Sequence, residues 1–222
     1  MKLEFKEYES TIFKKEFKIL QPTEELLNLY ACRDQAGYQT IYGDIGDLSK
    51  LGFMFAYACS RRDVIIYVPL RQHGLTNYLK SREGEHSARD IVILHHSLQF
   101  NYKNWKAIRQ SIRTAKYQLV VANMADTIFA EVDVKDFRSY NYKENKDTLH
   151  IRDYLETFFF VGSSPIFGSI AGDCKSLADA KPDEFYQEHP GYHDHKHLDA
   201  YVKKNINVSF SIDFYDEKLW GD

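Results

Sequence analysis

Three short apolar runs in the middle of the chain form its clearest pattern. They cover residues 64–70, 90–94 and 118–122, and none of them alternates polar with apolar positions. Unbroken apolar runs are typical of strands that are covered on both faces, as in parallel sheets. Segments with helical spacing lie between the runs. The order strand, helix, strand, helix, strand predicts two right-handed crossovers within a parallel sheet.

The two helical segments differ in the strength of their pattern. The first, at 75–81, is short. The second, at 103–116, has an apolar stripe at helical spacing made of Trp105, Ile108, Ile112 and Ala115. A basic stripe lies beside it on the same helix, made of Lys106, Arg109, Arg113 and Lys116.

The regions on either side of this core add further strands and helices. Residues 2–19 alternate and predict one or two strands. Thr23 and Asp47 are the predicted N-caps of a short helix ending near Tyr30 and of a deeply buried helix. The later elements are predicted as a strand with one wet side at 127–137, a strand at 150–161, a helix at 165–180, a short helix at 195–204 and a strand at 206–214. The predicted fold class is therefore α/β, with a mixed, partly parallel β-sheet flanked by helices.

The chain is predicted to form a single domain over residues 1–222. Within it, residues 1–62 add strands and helices at the N-terminus, 63–161 form the core, and 162–222 supply a helix and the final strand. Hydrophobic residues make up 44% and charged residues 27% of the sequence, which is close to the average of globular proteins. This composition excludes a disordered chain.

The sequence also excludes several other classes of protein. Three cysteines without a CxxC pair exclude a disulfide framework and a cysteine-based zinc site. The N-terminus is charged from its second residue, and the apolar stretch at 51–59 is far too short to span a bilayer. We therefore expect a cytoplasmic protein with no membrane partner.

Charge is distributed unevenly although the net charge is only −3. Residues 71–117 contain nine Lys and Arg against three Asp and Glu, whereas residues 183–222 contain four against nine. Such asymmetry is consistent with a polarised binding face. It is equally consistent with two solvated surfaces that attract each other across the fold.

Polar residues follow each of the three apolar runs, where a parallel sheet would place its ligand. Arg71 and His73 follow the first run, and His95 and His96 follow the second. The helix at 103–116 would start from the same edge, and its free backbone N–H groups favour an anion there. We therefore expect phosphate binding by Arg71, His73, Lys106 and Arg109, with His95 or His96 as acid or base. The alternative is ordinary polarity where buried strands reach solvent.

The loop Gly162-Ser163-Ser164-Pro165 is a second candidate for anion binding. It lies between a predicted strand and a predicted helix, and its backbone N–H groups could surround a phosphate. Ser163 and Ser164 are the residues expected to contribute. Serine before a helix is also the ordinary N-cap, and Pro suits the first helical turn, so helix capping is the alternative.

A histidine cluster near the C-terminus is the first candidate for a metal site. It contains His189, His193, His195 and His197 with two nearby aspartates. Helical spacing of Leu198, Tyr201 and Val202 favours a helix, in which His193 and His197 share one face. Such a pair could hold a divalent metal together with ligands from elsewhere. A solvated histidine-rich loop is the alternative.

The strand predicted at 127–137 is the second candidate for a metal site. Glu131, Asp133 and Lys135 would lie together on its wet face. This acid-x-Lys pattern is similar to the working element of many metal-dependent nucleases, which implies that Asp133 would bind a divalent metal. In those nucleases the element lies on the third strand of the core, whereas here it falls on the second.

Three hypotheses about function follow from these patterns. The leading hypothesis is binding of a phosphate-bearing ligand, a nucleotide or nucleic acid, at the carboxyl edge of the sheet, either with or without hydrolysis of that ligand. The second is a non-catalytic protein-interaction module, such as an inhibitor or immunity-type protein, with another protein as its partner. The third is a metal-dependent nuclease, whose cofactor would be a divalent metal.

Overall fold

A computed structural model of the chain describes residues 1–12, 15–84, 87–123, 148–179, 194–202 and 209–216. The strands are β1 (Lys2–Ile12), β2 (Lys15–Pro22), β3 (Leu29–Arg33), β4 (Gln39–Gly43), β5 (Val64–Val68), β6 (Ala88–His95), β7 (Gln118–Asn123), β8 (His150–Asp153), β9 (Thr157–Gly162), β10 (His195–His197) and β11 (Phe210–Phe214). The α-helices are α1 (Ile45–Ser60), α2 (Asn77–Glu83), α3 (Trp105–Ile112) and α4 (Ser164–Ala178).

The eleven strands of the described residues form one mixed sheet. Its order is β10, β11, β4, β3, β6, β5, β2, β1, β7, and β9 and β8 extend from β6. Three neighbouring pairs are parallel, namely β2 with β5, β4 with β11, and β6 with β9, while the other pairs are antiparallel. The mixed, partly parallel sheet with flanking helices confirms the predicted α/β class.

Strand β6 is the point at which the sheet branches. Its residues from Asp90 to His95 pair with β9, and those from Ile91 to Leu94 pair with β5. The first two residues of β6 pair with β3. A strand that carries so many partners has no exposed edge to solvate, which agrees with the complete burial of its apolar residues.

Both faces of the central strands are covered, as the unbroken apolar runs predicted. In β5, Val64, Ile66 and Val68 pack in the larger core cluster, on the side of α1 and α4. Ile65 and Tyr67, which point to the opposite face, pack with Trp105, Ile108 and Ile112 of α3, the buried stripe of that helix. The same alternation holds in β6 and β9.

The three apolar runs nevertheless do not form neighbouring parallel strands, so the predicted shared carboxyl edge is wrong. Strands β5 and β6 are antiparallel neighbours, with Ile65 opposite Leu94. Strand β7 lies beyond β2 and β1 at the end of the sheet. The runs of β5 and β6 correctly predicted strands buried on both faces, but they said nothing of strand direction. The third run forms β7, where Leu119 and Val121 are exposed, so the burial predicted for that run is wrong. Here helices cover both faces of a mixed sheet, so its antiparallel strands have the composition of parallel ones.

Local predictions failed where a tertiary contact overrode the local signal. The helix predicted after Thr23 is a turn followed by β3, whose Leu29 and Tyr30 are buried against β4. The strand predicted over 150–161 is a hairpin of β8 and β9. The helix predicted over 195–204 begins as β10, which pairs with β11. The N-cap of α1 is Asp44, and Asp47 lies in its first turn. The strand predicted over 127–137 lies outside the described residues.

None of the helices in the described part of the chain combines the length and the apolar character that crossing a membrane requires.

Candidate functional site

A polar cavity borders the carboxyl ends of β2 and β5, which are parallel neighbours. Its volume is about 500 Å³. Gln21 comes from the end of β2, and Pro69, Arg71 and Gln72 come from the chain that follows β5. The far wall is formed by the end of α3, through Arg109, Ile112 and Arg113, and the remaining wall by Tyr8, Tyr67 and Asp90.

Asp90 organises the wall of this cavity. It is only 2% exposed, and its side chain accepts hydrogen bonds from the Tyr67 hydroxyl at 3.1 Å and from the Arg71 backbone N–H at 3.1 Å. The guanidinium Nε of Arg71 lies 3.3 Å from the same carboxyl group, and Arg109 Nη1 lies 3.8 Å from it. A buried carboxylate needs such partners because burial removes its water. Burial and the adjacent Asp90 raise the pKa of Tyr67, so its hydroxyl stays protonated and donates.

Three arginines therefore line one cavity against a single aspartate. The side chains of Arg71 and Arg109 are 29% and 20% exposed, so both are partly desolvated, while Arg113 is exposed at the end of α3. No carboxylate among the described residues pairs with Arg113. The cavity consequently has an excess of positive charge and an arginine whose donors are available to a ligand.

The turn between β8 and β9 reaches the same arginines. Arg71 Nη1 forms a close ion pair with the carboxylate of Glu156, which is 62% exposed. Arg109 Nη1 donates a hydrogen bond to the carbonyl of Leu155 at 3.3 Å. The turn therefore contacts two arginines of the cavity from the side of β9, although Leu155 and Glu156 do not line the cavity themselves.

Of the residues expected to bind phosphate, Arg71 and Arg109 meet in this cavity. Lys106 is exposed earlier on α3 and does not line it. His73 lines a neighbouring cavity of about 70 Å³, and neither of its ring nitrogens has a hydrogen-bond partner among the described residues. The cavity borders the last turn of α3 and not its first turn, so the expected contribution of the helix N-terminus is wrong.

His95 and His96 lie at the opposite end of β6 from Asp90. His95 follows Asp90 by five positions along an extended strand, which is roughly 16 Å. The structure therefore separates the expected acid or base from Arg71 and Arg109. His95 pairs instead with Gly162 of β9, which brings the loop containing Ser163 and Ser164 to the same end of the sheet.

A serine and a histidine are in contact at this second end. His95 Nδ1 lies 2.8 Å from Ser97 Oγ and also accepts the backbone N–H of Ser97 at 3.2 Å. Because Nδ1 accepts that N–H, it carries no proton and the Ser97 hydroxyl donates to it. Burial, together with His96 and Arg62, lowers the pKa of His95 to about 4, which keeps the ring neutral.

One of the two serines in the loop before α4 is at the N-cap position, as the capping alternative predicted. Ser163 is the N-cap residue of α4, although its hydroxyl makes no capping hydrogen bond and has no partner among the described residues. Ser164 donates to the carbonyl of Cys59 on α1. The hydroxyl of Ser164 therefore ties α4 to α1.

The predicted metal residues are only partly described. His193 and Asp133 lie outside the described residues. His197 is exposed on β10, with its ring centroid 4.7 Å from that of His195, so these two histidines share a face of a strand and not of a helix. Within the described ranges, no group of three or more His, Cys, Asp or Glu side chains is arranged to hold a metal.

The interaction-module hypothesis depends on exposed apolar surface, and strand β7 provides some. Leu119 is 59% exposed and Val121 is 42% exposed on the same face of this strand, next to the exposed Tyr117. Exposed apolar residues on an end strand are a common site of association with another chain. This surface lies on β7, whereas the polar cavity lies between α3 and the ends of β2 and β5.

Sequence reasoning missed Asp90 and the two glutamines of the cavity. Asp90 stands at the start of the second apolar run, where a polar residue marks only the end of a strand. A carboxylate directly before four buried aliphatic residues was a usable signal, because such a charge needs cationic partners. Gln21 and Gln72 carried no pattern that distinguished them from other surface residues.

No protein-family model matches the chain, and no curated protein or solved structure is significantly similar to it.

The first prediction concerns the hydrogen bond that the Tyr67 hydroxyl donates to Asp90. We expect Tyr67→Phe to lower the free energy of unfolding by about 1–3 kcal/mol, because a carboxylate that is only 2% exposed loses a hydrogen-bond donor. Urea denaturation measures the change. Tyr38→Phe is the matched control, since Tyr38 is 57% exposed, and should change the free energy by less than about 0.5 kcal/mol. Equal effects of the two substitutions would contradict the role given to Asp90.

The second prediction concerns the pH dependence caused by His95. Its pKa is about 4 in the folded state against an ordinary value of 6.5, so between these values the unfolded chain binds more protons than the folded one. Stability attributable to this group is therefore complete above pH 6.5 and declines as the pH falls towards 4, by at most about 1.4 kcal/mol per pH unit. Urea denaturation at several pH values should show wild type losing stability relative to His95→Gln. His197→Gln, at an exposed histidine, should follow wild type; a difference between wild type and His95→Gln that is constant with pH would refute this account.

Proposed function

We propose that this protein binds a phosphate-bearing ligand of about nucleotide size in the cavity at the carboxyl ends of β2 and β5. The observation that carries the proposal is the convergence of Arg71, Arg109 and Arg113 on one cavity of about 500 Å³. Ligand pockets for small molecules commonly enclose about 300–1,000 Å³. The planar guanidinium group matches phosphate oxygens with two parallel N–H donors, which makes arginine the usual residue for this recognition.

Two of the arginines are held in place before any ligand arrives. Asp90 contacts Arg71 directly and lies 3.8 Å from Arg109. Side chains that are already ordered lose less conformational entropy on binding, which favours affinity. The ligand would then have to immobilise only Arg113.

Two local effects oppose an anion in this cavity. The carboxylate of Asp90 is one, and Arg71 and Arg109 offset its charge. The helix dipole of α3 is the other, and its magnitude is small. The last turn of α3 borders the cavity, and the carboxyl end of a helix disfavours a negative charge by about 0.3–1 kcal/mol. A hydrogen bond to a charged group contributes about 1.5–3 kcal/mol. With three arginines available, the favourable contacts exceed the unfavourable helix dipole.

The other lining groups suit an organic part attached to the phosphate. Tyr8, Tyr67 and Ile112 offer apolar and aromatic surface, and Gln21 and Gln72 offer amides that both donate and accept hydrogen bonds. This combination supports a nucleotide in preference to free phosphate. A single-stranded nucleic acid shares the same chemistry, and the experiment below distinguishes the two.

A thermal-shift series with pyrophosphate, AMP, ATP and a single-stranded ten-nucleotide DNA tests the proposal. A ligand that binds only the folded state stabilises it by about 2.7 kcal/mol at a hundred times its Kd. We expect AMP or ATP to raise Tm more than pyrophosphate does. A larger effect of the DNA would assign the site to nucleic acid, and no shift with any of the four would refute the proposal.

The third prediction concerns the arginine with no carboxylate partner among the described residues. We expect Arg113→Gln to raise the Kd for the stabilising ligand at least about tenfold, because it removes a charge-assisted hydrogen bond. Isothermal titration calorimetry measures the change. Arg62→Gln makes the same change of charge at an exposed arginine before β5 and should leave the Kd within about twofold. Equal losses in both variants would indicate a general charge effect and would refute the site.

Hydrolysis of a phosphoester is a second candidate function, favoured by the 2.8 Å contact between His95 Nδ1 and Ser97 Oγ. In the step that we infer, Ser97 Oγ attacks phosphorus and its proton moves to His95 Nδ1. The bond from phosphorus to the leaving oxygen breaks, and that oxygen takes the proton from His95. Water then cleaves the phosphoserine. This chemistry would act on a substrate at the end of β6 and not on a ligand in the arginine cavity.

The fourth prediction tests that serine with a fluorophosphonate, which forms a bond from serine oxygen to phosphorus and releases fluoride. We expect mass spectrometry to locate the label on Ser97, and His95→Gln to slow labelling about a hundredfold through loss of the base. Ser97→Ala should abolish labelling, whereas Ser81→Ala, at an exposed serine of α2, should not. Labelling spread over several serines, or none, would refute the second candidate.

A further inference from the structure

The turn between β8 and β9 has an unusual backbone for its sequence. Hydrogen bonds in both directions between Tyr154 and Thr157 close a two-residue loop. Its two central residues, Leu155 and Glu156, have φ values of 49° and 58°. Two successive residues with positive φ are typical of type I′ turns, which strongly favour Asn and Gly. Leucine and glutamate are disfavoured there, and such departures are often maintained at functional sites.

The turn contacts the cavity arginines through the side chain of Glu156 and the backbone of Leu155. Glu156 places its carboxylate on Arg71 Nη1, and Leu155 presents its carbonyl to Arg109 Nη1. The turn therefore occupies donors of two of the three arginines that line the cavity. The carboxylate of Glu156 is exposed, and among the described residues Arg71 is the partner that holds it there.

The two carboxylate partners of the Arg71 guanidinium differ in how easily another anion can replace them. Nε faces Asp90, which is almost fully buried and cannot leave without opening the core. Nη1 faces Glu156, which is 62% exposed on a short turn. An exposed ion pair is weak because water and salt compete with it. An incoming anion can thus replace Glu156 but cannot replace Asp90.

We propose that Glu156 is an internal competitor that occupies the anion subsite of the cavity and leaves it when ligand binds. This inference rests on the proposed function. It adds that the anion binds at Arg71 Nη1, where Glu156 lies in the empty protein. The strained turn is stabilised by its contacts with Arg71 and Arg109 in the empty protein. It is released when the phosphate group takes those donors.

The fifth prediction compares the Kd for pyrophosphate and for ATP in wild type, Glu156→Gln and Asp179→Asn by calorimetry at one salt concentration. Glu156→Gln keeps the size of the side chain and removes the competing charge, so we expect its Kd to fall about two- to fivefold. Asp179→Asn is the matched control, because Asp179 is 66% exposed and pairs with Lys175 on α4. It should change the Kd by less than about 1.5-fold.

Hydrogen exchange of wild type provides a readout independent of affinity. We expect saturating ATP to increase deuterium uptake in the peptide that contains residues 154–157 and to decrease it around Arg71 and Arg109. A lower Kd in Glu156→Gln alone, with increased exchange at the turn, supports the internal competitor.

The failures of the two proposals can be told apart. If neither wild type nor Glu156→Gln binds pyrophosphate or ATP, both the proposed function and the internal competitor are refuted. If wild type binds and Glu156→Gln binds equally or more weakly, the proposed function stands and the internal competitor is refuted. An equal decrease of the Kd in Glu156→Gln and Asp179→Asn would show that net charge causes the effect, and it would also refute the internal competitor.

Discussion

The candidate site depends on the hydrogen bonds and arginines that stabilise one buried carboxylate, that of Asp90. Asp90 lies on β6, the strand at which the sheet branches, and it is nearly inaccessible to water. A carboxylate in this position is tolerated only with donors around it, and they come from Tyr67 on β5, from the chain just after β5 and from α3. The requirement to satisfy Asp90 therefore draws two arginines from different elements to one place. These two arginines line the cavity.

The mixed directions of the strands give this sheet two separate carboxyl edges. The parallel pair β2 and β5 ends at the arginine cavity, whereas the parallel pair β6 and β9 ends at His95 and the start of α4. Because β5 and β6 are antiparallel, these edges lie at opposite ends of the sheet. The arginines of the cavity and the contact between His95 and Ser97 are thus separated by the length of a strand. Binding at the first edge and chemistry at the second are independent hypotheses for that reason.

Much of the fold followed from periodicity alone. The apolar runs of β5 and β6 indicated burial on both faces, and the stripe containing Trp105, Ile108 and Ile112 indicated the buried side of α3. The early hairpin and the long helix α4 were also visible. These features report the environment of each residue, which hydrophobicity records directly. Of the expected phosphate ligands, Arg71 and Arg109 line one cavity, although β5 and β6 are antiparallel and not parallel as predicted.

By itself the sequence determined the burial of β5, β6 and β9, the helices α1, α3 and α4, and the excess of basic residues in the middle of the chain. Only the tertiary structure decided the direction and partner of each strand, because hydrogen bonding between distant strands leaves no periodic trace. It also decided that Arg71, Asp90, Arg109 and Glu156 meet, over a separation of up to 85 positions. Their meeting depends on one buried charge and on the turn that closes over it. Both are properties of the folded chain, since neither a carboxylate's burial nor a turn's backbone angles can be assigned before the surrounding strands are placed.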